Sequence, residues 1–372
     1  MRFPEFTGEW KSVHLEDVAE FQKKRISSDL LNNNNYISTE NILQNFEGIQ
    51  YSSSIPTNTN VIEYQKGDIL LSNIRPYLKK VWFSDRKGGC SADVFVLRGD
   101  KCDQHFLYYV IASDRFINYV MSGVKGVKMP RGDKNQMKKY AFSIPTNTEQ
   151  RKIAKFLSML DERIKLQNKI IEKLETLIKG IVELAFSHAA TSNTLGCYIT
   201  QISQRNKTGK DLPVLSVSNK HGFVEQSEQF EDRIIASDDT SNYKIVDIND
   251  FAYNPARINV GSIARLKDKE CGIVSPMYIC FRTSKDILPE YLELFFKTVT
   301  FSFEVGKRLE GSVRLCLSYE SLCEIVIPII SIREQQSLVK MVTTFHSKLD
   351  VEKGFLSSYQ SQKQCLLSQM FI

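Results

Sequence analysis

One segment of this sequence occurs twice. The first copy, Ile144–Phe186, reads IPTNTEQRKIAKFLSMLDERIKLQNKIIEKLETLIKGIVELAF, and the second reads IPIISIREQQSLVKMVTTFHSKLDVEKGFLSSYQSQKQCLLSQMF. Past a two-residue insertion the copies run without a gap at an offset of 185, about half of the 372 residues. A mixed stretch of ordinary globular composition precedes each copy. A repeat of this length marks a duplicated domain and not a solenoid of short units. The chain is therefore expected to be built as two halves, each long enough to bury a core of its own. Two like modules at a set separation suit one job well, gripping two sites on one elongated partner.

Both copies read as long amphipathic helices. The first opens on Thr146-x-x-Glu149 and the second on Ser331-x-x-Glu334, the pattern in which a hydroxyl and a carboxylate each satisfy a free backbone N–H at a helix start. Apolar residues then recur at alternating steps of three and four, as in a coiled-coil seam. In the first copy the seam runs through Ile153, Leu157, Leu160, Ile164, Gln167, Ile171, Leu174, Ile178, Ile181 and Ala185. In the second it runs through Leu338, Val342, Phe345, Leu349, Glu352, Leu356, Tyr359, Lys363, Leu366 and Met370. Gln167 and Glu352 hold equivalent polar places in the two seams, a pattern that sets register at some cost in stability. They are expected to meet, or nearly meet, where the helices cross antiparallel. At ~1.5 Å per residue each rod is roughly 57 Å long, more than the ~34 Å of one duplex turn. An antiparallel pair would relate the two globular regions by an approximate two-fold axis.

The duplication continues faintly upstream. Gly67-Asp68-Ile-Leu-Leu-Ser-Asn73-Ile-Arg75 aligns with Asn249-Asp250-Phe-Ala-Tyr-Asn254-Pro-Ala-Arg257, and Ser91–Arg98 aligns with Ser275–Arg282. Gly126-Val-Lys-Met-Pro aligns loosely with Gly311-Ser-Val-Arg314-Leu. The apolar runs at 68–72, 94–97 and 278–281, bounded by Gly, Pro and Asn, read as strands. Residues 106–120 and 291–305 read as short helices. The fold class is accordingly α+β: two similar α+β domains separated by two long antiparallel coiled-coil helices. The boundaries are 1–147 for the first domain, 148–187 for the central helix, 188–330 for the second domain and 331–372 for the last helix.

Composition excludes several classes. The net charge is +6, and it is unevenly spread: residues 1–147 carry 20 lysines and arginines against 16 acids, while residues 188–330 carry 16 against 18. A polyanionic partner is allowed, and the second half would need a local basic patch to meet it. The eight cysteines include no CxxC and no Cys/His cluster at zinc spacing, so they are expected to be small buried hydrophobes in a reducing compartment. The opening MRFPEFTGEW has no apolar signal core and no apolar run approaches membrane length, which suggests a cytoplasmic protein. There is no P-loop, and the five histidines show no ligand spacing.

Taken together, these motifs resemble the specificity subunits of Type I restriction–modification systems. The likeness lies in Glu149-Gln150-Arg151-Lys152-Ile153-Ala154, Leu160-Asp161-Glu162-Arg163-Ile164, the opening Phe6-Thr7-Gly8-Glu9-Trp10 and the strand Gly67-Asp68-Ile69-Leu70. The second copy keeps Glu334-Gln335 and drifts beyond it. The resemblance implies that each globular region is a target recognition domain for one half of a split double-stranded DNA sequence. It implies that the helices act as a ruler and as a docking surface for two methyltransferase subunits. Those subunits would bind S-adenosylmethionine, and this chain would hold no cofactor or metal. Endonuclease/translocase subunits would join the same complex. A non-catalytic protein–protein scaffold that does not touch DNA is the alternative.

The chain itself lacks the chemistry of an amino-methyltransferase. Tyr253-Asn254-Pro255-Ala256 misses the second proline and the aromatic residue of the amine-holding turn, and no Gly-rich cofactor loop occurs. What remains is recognition, where Arg and Asn read base edges and Lys meets phosphate. The densest basic stretch holds Lys125, Lys128, Arg131, Lys134, Lys138 and Lys139, answered in the second half by Lys307, Arg308 and Arg314. Arg75 and Arg257 follow strands at matching places, with Asn73 and Asn254 beside them. For these two arginines, base contact and pairing with a neighbouring acid are both open. Lys79, Lys80, Lys207 and Lys210 complete the phosphate candidates. Replacing both Gln167 and Glu352 by Leu should raise the melting temperature if they line the seam; an unchanged melt would place them at solvent.

Overall fold

The computed structural model describes residues 2–52, 54–124, 126, 129–189, 191–219, 221–226, 240–311 and 314–370. It separates into two compact units, Met1–Lys169 with Gly354–Ile372, and Ile170–Lys353. The division runs through both long helices. Each globular region shares its core with one stretch of each helix.

Unit one opens with β1 (Lys11–His14), followed by α1 (Leu15–Val18) and then the strands β2 (Ala19–Phe21), β3 (Arg25–Ser27), β4 (Tyr36–Ile37), β5 (Asn60–Tyr64), β6 (Ile69–Ser72), β7 (Val81–Phe83), β8 (Gly88–Cys90) and β9 (Val94–Gly99). The helices α2 (Gln104–Ile111), α3 (Asp114–Met121) and α4 (Lys134–Lys138) follow, then β10 (Ala141–Ile144) and the long α5 (Asn147–Ser187). β1 pairs antiparallel with β10, Lys11 opposite Ile144, and so closes the region just ahead of α5. One sheet runs β2–β9–β6–β7 and a second runs β3–β5–β8–β4. β6 is buried along its whole length because both its faces are covered. Successive side chains point to opposite faces, so Ile69 and Leu71 pack with Phe106, Val110 and Phe116 of the helices, while Leu70 meets Tyr64 and Cys90 of the second sheet.

The stretch expected as one helix over 106–120 is two. Asp103 caps α2 by accepting from the His105 and Phe106 N–H groups, and the Ser113 hydroxyl accepts from Phe116 N–H at 3.2 Å to start α3. A new cap restarts the chain in a new direction.

Unit two repeats the plan with β11 (Thr191–Thr194), β12 (Ile199–Ile202), β13 (Val214–Ser218), β14 (Gly222–Glu225), β15 (Lys244–Asp247), β16 (Phe251–Tyr253), β17 (Ile263–Arg265), β18 (Cys271–Val274), β19 (Ile279–Thr283) and β20 (Val326–Ile329). Its helices are α6 (Pro289–Phe295), α7 (Val299–Arg308), α8 (Tyr319–Cys323) and the long α9 (Ile332–Met370). β11 pairs with β20 as β1 does with β10. The sheet β12–β19–β16–β17 matches its counterpart strand for strand, and the second sheet, β14–β13–β18–β15, is where the two modules differ. Here too the expected helix over 291–305 is broken by a cap, Thr298 accepting from Phe301 N–H at 3.1 Å. Phe251 stacks on Phe281 with centroids 5.1 Å apart, and Phe296 meets both edge-on.

Within each unit the long helices run antiparallel. In unit one Asp161 pairs with Lys363 at 2.5 Å and Arg163 lies over Tyr359, while Ile153, Leu157 and Leu160 share a core with Leu366 and Met370. In unit two Glu175 pairs with Lys353 at 2.8 Å, and Ile178 and Val182 line one groove with Leu349. Every seam position named from the sequence is buried or half-buried, including Ile164, Ile171, Leu174, Leu338, Val342, Phe345 and Leu356. Gln167 and Glu352 are each 7% exposed, and Lys348 neutralises Glu352 at 2.5 Å.

The two helix starts differ from expectation in one respect. At Ser331 the reciprocal cap is complete: Glu334 N–H donates to the hydroxyl at 3.3 Å, and Ser331 N–H donates to the Glu334 carboxylate at 2.9 Å. At Thr146 only the first half forms, at 3.5 Å. The Glu149 carboxylate is turned inward and fully buried, taking two bonds from Arg2 at 2.7 and 2.8 Å and one from the Trp10 indole at 3.3 Å. The N-terminal segment competes successfully for that carboxylate.

The next residue does the same thing in both copies. Gln150 donates to the Pro145 carbonyl at 2.8 Å and accepts from Asp103 N–H at 2.8 Å. Gln335 donates to the Ile330 carbonyl at 2.9 Å and accepts from Leu288 N–H at 2.9 Å. Each thus fastens a long helix to the cap residue of its module's helical pair, α2–α3 or α6–α7. The cysteines depart from the reading as small buried hydrophobes. Cys90 and Cys280 are buried, with their thiols pushed up to about 12 by burial, but Cys197 and Cys365 are exposed, one on a turn and one on an outer face of α9. Replacing Gln150 or Gln335 by Leu leaves a carbonyl and an amide, buried or half-buried, without these partners, and the unit concerned should lose about 1–3 kcal/mol in chemical denaturation. The exposed Glu334→Ala should shift the midpoint much less.

Candidate nucleic-acid interface

The strands β6 and β16 begin alike. Asp68, just ahead of β6, is buried and receives a two-pronged pair from Arg98, both bonds at 2.7 Å, together with Gln65 N–H. Asp250, just ahead of β16, receives Arg282 at 2.6 and 2.8 Å, together with Asp247 N–H. The hydrogen bonds to Asp68 and to Asp250 raise both guanidinium groups above their ordinary range. Sequence alignment brought these four residues into correspondence but did not reveal that they pair.

That pairing leaves neither Asp68 nor Asp250 as the partner of Arg75 or Arg257. The buried acids take Arg98 and Arg282, and Arg75 and Arg257 are left exposed, with no side-chain hydrogen bond or ion pair among the described residues. Each caps a one-turn 3-10 helix, Pro76–Leu78 or Ile258–Val260, that leaves the end of its strand. Arg75 holds the left-handed conformation at φ 50°. Its N–H donates to the Pro130 carbonyl at 2.8 Å, and Gly132 N–H donates to the Asn73 carbonyl at 3.1 Å. Ile74 and Arg131 thereby form an isolated bridge. In unit two Leu317 N–H donates to the Pro255 carbonyl at 3.1 Å and Tyr253 Oη donates to the Leu317 carbonyl at 3.2 Å. In both units, then, the loop after the central strand is tied to the loop before α4 or α8, and the second loop carries Arg131 or the exposed Arg314.

The other basic residues named from the sequence are mostly engaged by their own module. Lys79 pairs with Asp114 at 2.6 Å. Lys80 donates to the Thr39 carbonyl at 2.7 Å, and burial lowers its pKa. Lys134 lies 4.7 Å over Phe21, its pKa also lowered by burial. Arg131 pairs with Asp93 at 3.3 Å while remaining half-exposed. Lys307 pairs with Glu304 at 2.8 Å and lies over Phe303. Arg308 pairs with Glu304 as well, and reaches Glu324 at 4.0 Å. The side-chain oxygen of Asn73 is buried with no hydrogen bond among the described residues, and that of Asn254 accepts from Ala256 N–H. Lys139, Lys207 and Lys210 are exposed, and Lys138 is partly so. Lys125 and Lys128 lie outside the described residues.

Unit two also contains a cleft of about 550 Å³ floored by Phe251 and Phe296. Burial pushes its Glu293 carboxyl up, but Lys297, Lys267 and Arg265 together outweigh this and hold it below the usual range. Its cations are thus already answered. Among the described residues there is no cluster of His, Cys, Asp and Glu that could hold a metal, and no helix is long and apolar enough to cross a membrane.

An exposed arginine with no partner contributes little to folding. Arg75→Ala and Arg257→Ala should leave thermal stability within about 0.5 kcal/mol of wild type. Asp68→Ala or Asp250→Ala, which strands the paired arginine beside a buried gap, should lower the melt clearly. A thermal scan of the four variants checks both halves of this statement.

Part of the chain matches a known family. Residues 7–176 match the family described as the Type I restriction modification DNA specificity domain. The chain is 24% identical over 197 residues to the Type I restriction enzyme EcoDI specificity subunit of Escherichia coli, over 51% of this chain and 44% of that protein. The match therefore spans less than half the length of that relative. The fold is similar to that of the Type I restriction–modification system S subunit from M. genitalium, with a TM-score of 0.60 at 18% identity over 98% of this chain and 96% of that one. It is also similar to a chain from a structure of the type I R-M system, described in terms of its assembly and conformational transition, with a TM-score of 0.59 at 16% identity over 97% of both chains. Residues 7–176 thus match the Type I restriction modification DNA specificity domain family, and the whole chain shares the fold of the S subunit from M. genitalium.

Proposed function

We propose that this chain is the DNA-specificity subunit of a Type I restriction–modification complex, with two recognition modules that each read one half of a bipartite duplex target. The observation that carries the reading is the duplicated pair of tied loops, which in each unit presents one exposed arginine, Arg75 or Arg257, without an acidic partner among the described residues. A free guanidinium fork matches guanine edges and phosphates alike. In this reading the long helices fix the spacer between half-sites. They also dock two methyltransferase subunits, which carry S-adenosylmethionine and methylate adenine, and endonuclease/translocase subunits join the same assembly. The chain contributes recognition and no catalytic group, and works in the cytoplasm.

The helices offer support for docking two like partners. Outside the seam, Phe156 and Leu166 on α5 are 40% and 60% exposed, and Met341 and Val351 on α9 are 47% and 52% exposed. These residues correspond at the same offset of 185 that relates the seams. Two exposed apolar positions kept in both copies suit two copies of one partner.

Long-read methylation profiling of DNA from cells expressing the subunit with its methyltransferase tests the reading. The expected result is one split target sequence. Arg131→Ala or Arg314→Ala should relax one half only, and removing one heptad from Leu160–Gln167 should change the spacer while leaving both halves intact. Loss of sequence preference in both halves on shortening the helix would contradict the ruler. The slightly acidic sum of residues 188–330 favours a second reading, a scaffold that does not touch DNA. Salt separates the two: DNA binding through several phosphates falls on the order of 10³-fold between low and moderate ionic strength, and a flat response favours the scaffold.

A further inference from the structure

The tied loops carry something besides arginine. In unit one Tyr77, in the 3-10 turn capped by Arg75, is 48% exposed, and Met129, two residues before Arg131, is 49% exposed. In unit two Val260, in the turn capped by Arg257, is 51% exposed, and Leu315, next to Arg314, is 50% exposed. Both turns end on a left-handed residue, Lys79 at φ 54° and Gly261 at φ 87°. The turns begin differently, Arg75 being left-handed at φ 50° and Arg257 at φ −134°, so the two backbones agree at the end of the turn only. A tyrosine and a valine, a methionine and a leucine, are not alike in size or hydrogen bonding. What the two sets share is an apolar side chain held out to solvent on each of two joined loops, beside an arginine.

We propose that Tyr77 with Met129, and Val260 with Leu315, are specificity-determining residues that make the apolar contact to bases within each half-site. This rests on the DNA-reading role proposed above and names how part of that reading is done. The arginines supply the charge complementarity that brings a polyanion onto these loops, and they answer polar base edges. Apolar tips between them have a different target, the thymine methyl group in the major groove or a base step opened by a wedge. The occupant is duplex DNA because Arg75, Arg257 and Arg314 have no ion pair among the described residues, and Arg131, though paired with Asp93, stays half-exposed. The loops differ in residue type while one backbone tie has a counterpart in each module, Gly132 N–H to the Asn73 carbonyl and Leu317 N–H to the Pro255 carbonyl, as expected if the two halves recognise different sequences.

The test uses the full-length chain with its methyltransferase partner in cells whose DNA is otherwise unmethylated at the site, read by long-read methylation profiling. Tyr77→Ser should make one half of the methylated sequence degenerate at one or two positions, with discrimination there falling on the order of tenfold. Val260→Ser should do the same to the other half only. Tyr77→Phe and Val260→Ile keep the apolar surface and should methylate the wild-type sequence. The side chains are exposed, so all four variants should melt like wild type. An unchanged target for both serine variants overturns the inference, as does a uniform fall in methylation with no change of sequence. If the wild-type chain itself yields no split target, the DNA-reading role fails, and this inference fails with it. A split wild-type target that both serine variants preserve sinks the inference alone.

Discussion

The fold of each module depends on a buried glutamine. Gln150 and Gln335 each join the carbonyl that ends the last strand's exit to the amide that opens a helical pair, with the long helix between. Both are at most 2% exposed, so these bonds are shielded from water and leave costly orphans when broken. Their partners are backbone groups, which every sequence supplies. A recognition region can then change its surface residues freely while its attachment to the helix stays the same. The Glu-Gln dipeptide at the head of each helix is thereby explained in halves: the glutamine has one job in both copies, and the glutamate has two different ones.

The second shared element is the buried aspartate in front of the central strand. Its carboxylate is fully engaged by one arginine and one backbone N–H in each unit. This fixes where the strand begins, and so where it ends and which residue first leaves the sheet. The exposed arginine at that exit is positioned by an ion pair four residues or more away. Divergence is concentrated elsewhere. Unit one adds Arg2 and Trp10 over its helix start, and the second sheet of unit two adds the hairpin strand β14.

Much of this was legible in the sequence because it follows from short-range rules. The duplication, the three-and-four spacing of apolar residues, the Ser331–Glu334 cap and the strand at 69–72 depend on neighbours along the chain. The breaks at Ser113 and Thr298 were missed although both residues are good caps, since the apolar pattern continues across them. The status of the lysines was not legible at all. Whether Lys79 finds Asp114, Lys80 the Thr39 carbonyl, or Lys134 the ring of Phe21 is decided by tertiary neighbours far along the chain. Counting cations therefore could not tell Lys134, held over Phe21, from the exposed Lys139. The exposure of Cys197 and Cys365 has the same cause, because composition does not say which face of a turn or helix a residue lies on.

The central claim is that the chain holds two equivalent readers whose identities are carried by the modules and not by the helices. The most direct measurement is methylation profiling of a chain in which the second module, β11 to β20, is replaced by a second copy of the first, β1 to β10, with both long helices kept. Because the helices run in opposite directions, the account predicts a methylated sequence that is an inverted repeat of the first half-site. A target that still contains the second half-site would contradict it.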